Sequence, residues 1–328
     1  MSMNGAINPI KDQMRLRLDR RFVKFYDEHM AARLETHQVS LSEARKHPQK
    51  FARPWPHRPT PPPADRMRDW TVIPDEVDAA PSDSLPFAVR TYHPDPAVFG
   101  PGPYPVHVRF HGGGWVFGGL GADAPICIRL QQRLGIVIVD VDYHLCPEAE
   151  FGQNVKDAWV ALLWTRQNAT MLNVDNSSVS IGGISAGGHL ACVLQHMARD
   201  AHIPLKLLLV TVPVTADHDK YLEAKDSPFP SFSEFSEAPT LNFARMRYFS
   251  SLVFPPHRLG DLHAAVPAWW ISPLRAPNFT GLCDTVILTA ECDPLRDEGE
   301  AYGAKLVAAG NKVLSRRQHN GMRTTSKR

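Results

Sequence analysis

The residues of this chain best suited to chemistry lie in the segment Gly183-Ile184-Ser185-Ala186-Gly187. The strand-like run "SVSIGG" leads into it, and an apolar helical pattern follows it. A serine becomes a useful nucleophile when a sharp turn presents its hydroxyl to a base, and glycines on both sides leave room for that turn. The amides of the following helix then face the oxygen that becomes negative. The pattern predicts a nucleophile at Ser185, and the alternative is a glycine-rich turn with an idle serine.

The segment His111-Gly112-Gly113-Gly114-Trp115 directly follows a second strand-like run, "VHVRF". Consecutive glycines let backbone amides approach a ligand closely, and such amides stabilise the oxyanion of a tetrahedral intermediate. A phosphate loop would also carry a lysine and a Ser or Thr, which this segment lacks. A glycine loop that precedes a nucleophile turn predicts an oxyanion hole, and the alternative is a tight turn without a ligand.

Strand and helix patterns alternate in the part of the chain that must position these segments. Period-two or β-branched runs predict strands, and amphipathic spacing predicts helices. The predicted strands are 87–93, 106–110, 136–143, 178–183, 205–214 and 285–290, and the main predicted helices are 154–168 and 298–310. Such alternation predicts an α/β fold with a mostly parallel central sheet and helices on both faces.

Three segments interrupt this order. Residues 14–48 show near-helical apolar spacing, and the proline-rich residues 53–66 predict an extended connector after them. We therefore divide the chain into an N-terminal helical segment with its linker, 1–65, and a main domain, 66–328. Residues 215–265 are rich in Pro, Ser, Phe and charge, and we expect an insertion over the edge of the sheet.

Composition argues against several classes of function. The 328 residues are 43% hydrophobic, which is enough for a large core, and 36 basic against 34 acidic residues give a net charge of +2. That balance argues against nucleic acid or a membrane surface as a partner recognised by net charge. Five cysteines occur without a C-x-x-C pair, so we expect free thiols and no zinc site.

The two termini bear on location. The N-terminal residues 1–18 lack the apolar stretch of a secretory signal, and no run of the chain is long enough to span a bilayer. We therefore expect a cytoplasmic protein. The C-terminal Ser326-Lys327-Arg328 is similar to the peroxisomal S-K-L address except for its last residue, so a peroxisomal location is the alternative.

Five sequence blocks together resemble the hormone-sensitive-lipase-like branch of the α/β-hydrolases. They are H-G-G-G-W at 111–115, "DYHLCPE" at 142–148, "GISAGG" at 183–188, "WISPLRAP" at 270–277 and "AECDPLRDEGEAY" at 290–302. The resemblance covers roughly residues 85–322 and implies the α/β-hydrolase fold. It also implies that the N-terminal helical segment and the 215–265 insertion form a cap over the acyl pocket.

The resemblance implies roles for individual residues. Ser185 would be the nucleophile, and the amides of Gly113, Gly114 and Ala186 would form the oxyanion hole. His111 would brace the glycine loop rather than act as the base.

The triad acid implied by the resemblance is Asp293. It follows a predicted strand at the edge where parallel sheets place their chemistry, whereas the competing Asp297 begins a helix and can simply cap it. Trp115, Phe117, Phe232 and Phe235 are candidates for the pocket wall. Ile184 departs from the family, which usually has Asp or Thr before the serine.

The C-terminal stretch departs from the family pattern more seriously. His319 stands where the family has an aromatic residue, and Arg323 and Thr324 stand where it has Pro and the catalytic His. Neither Thr nor Arg can act as a general base at neutral pH. Three interpretations stay open: a frame-shifted or mis-spliced end, His319 as a substitute catalytic base, or a protein that has given up catalysis and binds a ligand.

The function that the resemblance implies is hydrolysis of small to medium carboxylic esters through an acyl-enzyme on Ser185, without a metal or other cofactor. A role in natural-product metabolism is a further expectation. The alternatives are a ligand-binding hydrolase-like protein and an acyltransferase or thioesterase on the same site. The substrate would be a small molecule, and the oligomeric state is left open.

Overall fold

The computed structural model describes residues 5–52, 54 and 58–319. Within these residues eight strands form one sheet. They are β1 Met67–Val72, β2 Phe87–Tyr92, β3 Tyr104–Phe110, β4 Val137–Asp142, β5 Val174–Ile184, β6 Leu207–Thr211, β7 Thr285–Ala290 and β8 Val313–Gln318.

The order of the strands across the sheet is β1-β2-β4-β3-β5-β6-β7-β8. β2 pairs antiparallel with both β1 and β4, and every later pair of neighbours is parallel. The parallel strands read as nearly continuous apolar runs because both of their faces are covered: Val137, Val139 and Val141 of β4 are fully buried. The ends of β3, β5, β7 and β8 therefore lie along one edge of the sheet.

Fourteen α-helices occur in the described part of the chain. They are α1 Asp12–Arg15, α2 Arg20–His29, α3 Leu41–Lys46, α4 Pro48–Phe51, α5 Pro96–Phe99, α6 Ala124–Leu134, α7 Gln153–Gln167, α8 Ala169–Leu172, α9 Ala186–Asp200, α10 Pro230–Glu234, α11 Phe243–Val253, α12 Leu259–Ala265, α13 Ala268–Ile271 and α14 Arg296–Ala308. Short 3-10 helices lie at Thr36–Gln38, Ala64–Arg66, Pro74–Glu76, Ala224–Asp226, Pro256–Arg258 and Pro273–Arg275. α9 contacts β3, β5 and β6, and α14 contacts β7 and β8.

The predicted fold class and the predicted strands are confirmed, whereas the single helix predicted over 14–48 is wrong. That stretch contains several short helices because polar residues start new ones inside it. The carboxylate of Asp19 accepts the amide of Arg21, and the hydroxyl of Ser40 accepts the amide of Glu43. The sequence reasoning also missed β1, half of whose side chains are exposed, and α6.

The N-terminal helices pack on part of the 215–265 segment. A separate apolar cluster joins the two regions, and its members are Ile10, Met14, Leu18, Phe22, Tyr26, Ala31, Phe235, Ala238 and Cys292. Arg53 and residues 55–57 of the predicted connector lie outside the described residues, so the proposed boundary at residue 65 stays a prediction.

The five cysteines are all free thiols, as expected from their spacing. Within the residues that the structure describes, no helix combines the length and the apolar character needed to cross a bilayer.

Candidate active site

Ser185 lies on a sharp turn between β5, which ends at Ile184, and α9, which begins at Ala186. Its backbone has φ 57° and ψ −119°, which is unusual for a residue with a side chain. The turn is held from both sides, since the amide of Ser185 donates to the carbonyl of Thr211 at 3.0 Å and its carbonyl accepts the amide of His189 at 2.9 Å. Strained backbone that its surroundings enforce in this way is common at catalytic residues.

Gly187 lets the first turn of α9 approach the end of β3. A Cβ on Gly187 would lie 2.1 Å from the carbonyl oxygen of Phe110 and 2.4 Å from that of His111. Real Cβ atoms do not approach oxygens so closely, so any side chain here would push α9 away from β3. Gly187, the second glycine of the G-x-S-x-G pattern, is thus needed for the packing of α9 against β3.

The glycine loop after β3 contacts the serine turn. A Cβ on Gly112 would lie 3.6 Å from the Cβ of Ser185. Gly113 and Gly114 have φ values of 133° and 63°, which residues with side chains rarely adopt. Within the described residues the amides of Gly113, Gly114 and Ala186 donate no hydrogen bond, so these N–H groups are free to bind a ligand.

His111 is fully buried at the start of the glycine loop. Its ring stacks on Tyr143 with 4.2 Å between the ring centroids, and its Nδ1 lies 2.9 Å from the carbonyl oxygen of Gly112. The hydroxyl of Tyr143 donates to the carbonyl of His111 at 2.8 Å. Burial lowers the pKa of His111, although the Gly112 carbonyl partly opposes that shift. These contacts hold a neutral ring against the loop.

Asp293 is fully buried in the turn between β7 and α14. Its Oδ1 accepts the amide of Leu295 at 2.9 Å. β7 is separated from β5 by β6 alone, so Asp293 and Ser185 both follow strands that end at the same edge of the sheet.

Asp297 has a structural set of partners. Its Oδ2 accepts the amide of Ser231 at 2.7 Å, and its Oδ1 accepts the Nε of Arg296 at 2.7 Å. Burial opposes ionisation of Asp297, but the hydrogen bonds from Arg296 and Ser231 outweigh it and lower its pKa. Asp297 therefore ties α14 to α10, which supports the choice of Asp293 as the acid.

His319 directly follows β8, and 74% of its side chain is exposed. Its Nδ1 lies 3.2 Å from the Oε2 of Glu291. Arg323 and Thr324 lie outside the described residues. The structure does not bring His319 into the cavity at Ser185, and its role as a substitute base stays a prediction.

A small cavity of about 30 Å³ lies next to Ser185, whose side chain is almost fully buried. The wall is mostly apolar, and most of it comes from the 215–265 segment and the glycine loop. The lining residues are Gly114, Trp115, Ser185, Val214, His218, Leu241, Met246, Phe249, Ser250, Phe254 and Leu295.

A family profile described as the alpha/beta hydrolase fold matches residues 107–323. This match covers the glycine loop, the serine turn and the Asp293 turn.

The chain belongs to the hormone-sensitive-lipase-like family of α/β-hydrolases.

Relatives of this α/β-hydrolase include the carboxylesterase NlhH of Mycobacterium tuberculosis, with 36% identity over 210 residues. That alignment covers 64% of this chain, and the chain spans 62% of the length of NlhH. An AB hydrolase superfamily protein of Schizosaccharomyces pombe is 30% identical, and the alignment covers 93% of this chain and 86% of the length of that protein.

Solved structures of similar fold include an ester hydrolase from the metagenome of Lake Arreo, with a TM-score of 0.76 and 27% identity. The match covers 92% of this chain and 88% of that ester hydrolase. An esterase of Pyrobaculum calidifontis has a TM-score of 0.67 and 33% identity, covering 79% of this chain and 77% of its own.

The predicted aromatic wall of the cavity is partly different from the observed one. Trp115 lines the cavity, and Phe117 packs behind it against Phe249. Phe232 is buried against the ring of His218, and Phe235 belongs to the cluster with the N-terminal helices.

Sequence reasoning missed the polar pair formed by His218 and Glu298. The Nε2 of His218 lies 2.8 Å from the Oε2 of Glu298, and Glu298 is fully buried. The pair joins the 215–265 segment to α14, and His218 lines the cavity beside Ser185. The two residues are 80 positions apart, and no local pattern around either one indicates the contact.

Proposed function

We propose that this chain hydrolyses carboxylic esters with short acyl groups through an acyl-enzyme on Ser185. The observation that carries the proposal is the contact of the strained serine turn with a glycine loop whose amides are free, beside a small apolar cavity. Relatives named carboxylesterase and arylesterase, at 36% and 31% identity, support ester hydrolysis as the reaction.

In this mechanism the hydroxyl of Ser185 attacks the ester carbonyl. The amides of Gly113, Gly114 and Ala186 bind the oxygen that becomes negative, and losing one such donor typically raises the barrier by about 3–4 kcal/mol. The buried carboxylate of Asp293 is the proposed acid that orients a histidine. His319 is the candidate that the sequence offers as a substitute for the family's histidine, although its ring is exposed and lies beside Glu291.

The cavity limits the acyl group. A cavity of about 30 Å³ is small, so we expect it to favour short acyl groups such as acetyl over longer ones. Leu241, Met246 and Phe249 come from the 215–265 segment, which we assign as a cap together with the N-terminal helices. The cap would exclude longer acyl chains from the site.

The test is turnover of p-nitrophenyl acetate, butyrate and hexanoate by the chain and by Ser185→Ala. We expect turnover of acetate to exceed that of hexanoate and to fall at least about 10³-fold in Ser185→Ala. A fluorophosphonate probe should label the chain at Ser185 and leave the variant unlabelled. Equal turnover by both proteins would refute the proposal.

The same assay separates the alternative functions. A ligand-binding protein would show neither a burst nor labelling, and an acyltransferase would transfer the acetyl group to an added alcohol faster than to water. The cytoplasmic location, with its peroxisomal alternative, and a role in natural-product metabolism stay predictions.

A further inference from the structure

Among the described residues, the wall of the cavity beside Ser185 contains one ionisable side chain. Among the residues that the structure describes, His218 is the histidine in the cavity wall. Its side chain is about nine-tenths buried, and the carboxylate that it meets, Glu298, is fully buried. A buried histidine that lines the same cavity as a nucleophile and meets a carboxylate has the makings of an acid–base pair.

The contacts of Glu298 decide which nitrogen of His218 carries the proton. The Oε1 of Glu298 accepts the amide of Thr215 at 2.7 Å, and its Oε2 lies 2.8 Å from the Nε2 of His218. With the carboxylate ionised and the ring neutral, the carboxylate only accepts, so Nε2 donates and Nδ1 keeps its lone pair. Within the described residues Nδ1 has no hydrogen-bond partner, so this lone pair is available to the cavity.

The backbone that carries His218 is tied to the serine turn. The amide of Ser185 donates to the carbonyl of Thr211, and the carbonyl of Ser185 accepts the amide of Val214 at 3.4 Å. Further along, the hydroxyl of Thr215 donates to the carbonyl of Glu298 at 2.8 Å. The segment between β6 and His218 is thus hydrogen-bonded both to Ser185 and to Glu298.

Packing also fixes the ring of His218. Phe232 meets it edge-on with 5.2 Å between the ring centroids, and Tyr221 lies 5.8 Å away. The carbonyl of His218 accepts the hydroxyl of Ser250, another residue of the cavity wall, at 2.8 Å. A ring held from several sides loses little entropy when it takes part in a reaction.

Other histidines near the site are differently engaged. The Nδ1 of His111 meets the carbonyl of Gly112, and the ring of His189 lies edge-on to Trp115 at 5.0 Å. His319 is exposed and lies beside Glu291.

We propose that His218, in place of His319, is the proton acceptor for Ser185 in this chain and that Glu298, in place of Asp293, is the residue that orients it. The inference rests on the proposed ester hydrolysis and deepens it. The proton passes directly or through one water, which general acid–base catalysis permits.

Nδ1 of His218 takes the proton of Ser185 as Oγ bonds to the acyl carbon, and the carbonyl π electrons move to the oxygen held by the amides. The carbonyl then re-forms, the bond to the alkoxide breaks, and His218 returns the proton to that alkoxide. Water repeats the sequence: its oxygen bonds to the acyl carbon, its proton goes to Nδ1, and Oγ leaves with that proton.

The experiment measures p-nitrophenyl acetate turnover by the full chain and by His218→Gly, with and without added imidazole. We expect kcat to fall about 10²–10⁴-fold in His218→Gly. Added imidazole should raise the kcat of this variant at least about tenfold. Glu298→Gln should lower kcat at least about tenfold, because it disturbs the tautomer. If His218→Gly does not fold, His218→Asn replaces it in the kcat comparison.

The chain offers a matched control in the pair of His263 and Asp219. There the Nε2 of the histidine lies 3.0 Å from the Oδ2 of a buried aspartate, but the ring is exposed and does not line the cavity. His263→Ala should keep kcat within about twofold. Thermal melting of each variant checks that it is folded.

Three outcomes overturn the proposal. One is a folded His218→Gly that keeps more than about a third of the activity. Another is a lost activity that imidazole does not restore in a folded protein. A third is activity lost in His319→Ala but kept in His218→Gly. In each case Ser185-dependent turnover by the unaltered chain leaves the proposed hydrolysis standing, whereas absence of that turnover overturns both.

Discussion

Gly112 lies next to Ser185, so close that a Cβ built on Gly112 would lie 3.6 Å from the Cβ of the serine. The glycine loop and the serine turn follow β3 and β5, which are parallel neighbours in the sheet. Two segments that are separated in sequence thus meet because their strands end side by side. The consequences of this contact can be tested at the neighbouring glycines.

Gly114→Ala should lower both stability and activity. The residue has φ 63°, and a Cβ there would lie 2.5 Å from the ring of Phe249 in the cavity wall. The left-handed backbone costs about 1–2 kcal/mol, and the overlap adds about 1–3 kcal/mol. Gly310→Ala is the control, because it has φ 84° with nothing within 4 Å. Melting and esterase assays should show lower stability in both variants but lower kcat only in Gly114→Ala, and equal kcat in the two would contradict the prediction.

Met246→Ala should shift the preferred acyl group towards longer chains. Met246 is buried in the wall of the cavity, so its truncation enlarges the space beside Ser185. We expect the kcat/KM ratio of hexanoate to acetate to rise about tenfold, the effect of one or two methylenes, and stability to fall by about 2–4 kcal/mol. Met14→Ala, at a buried methionine of the N-terminal cluster, should cost similar stability and leave the ratio unchanged. A ratio that changes equally in both variants would show that the cavity does not select the acyl group.

Arg45→Ala should loosen the glycine loop from the N-terminal side. The guanidinium of Arg45 donates to the carbonyls of Val116 at 2.9 Å and Cys146 at 2.7 Å, and it also pairs with Glu148. Loss of two charge-assisted hydrogen bonds should cost about 2–3 kcal/mol in the free energy of unfolding and lower kcat about tenfold. Glu148→Gln removes only the more exposed ion pair and should cost less than about 1 kcal/mol. Urea unfolding and kcat measure both effects, and equal losses in the two variants would argue against the loop contact.

Acid should destabilise the protein through its buried histidines. Burial lowers the pKa of His107 and His189 to about 3 and that of His196 to about 4. Because the folded values lie below the unfolded value, the stability is fully present above about pH 6.5 and is lost as pH falls towards the folded values. Each such histidine contributes a slope of up to about 1.4 kcal/mol per pH unit.

The measurement is urea unfolding of the chain and of His189→Leu at pH 8, 6 and 5. At pH 8 the difference between the two proteins reports packing alone. Between pH 6 and 5 the variant should lose less stability than the chain does, and parallel losses would show that His189 does not titrate on unfolding.

Local sequence patterns determined much of this protein. The glycines around Ser185, the loop at 111–115 and the apolar run of β7 at Thr285–Ala290 were all readable, because close backbone approach requires glycine and buried parallel strands require continuous apolar residues. The family followed from the same segments. The helices within 14–48 were partly readable, but Asp19 and Ser40 start new helices where the apolar spacing alone suggested one.

Tertiary structure alone decided how the cavity is walled. Whether Met246 or Phe235 reaches Ser185 depends on how the 215–265 segment packs, and its many aromatic residues are alike in sequence. Glu298 lies in the same block as Asp293, yet its contact with His218 exists only because α14 and the chain after β6 meet at one edge of the sheet. Side-chain burial and pairing across 80 residues depend on the packing of whole elements, and a local pattern does not contain that information.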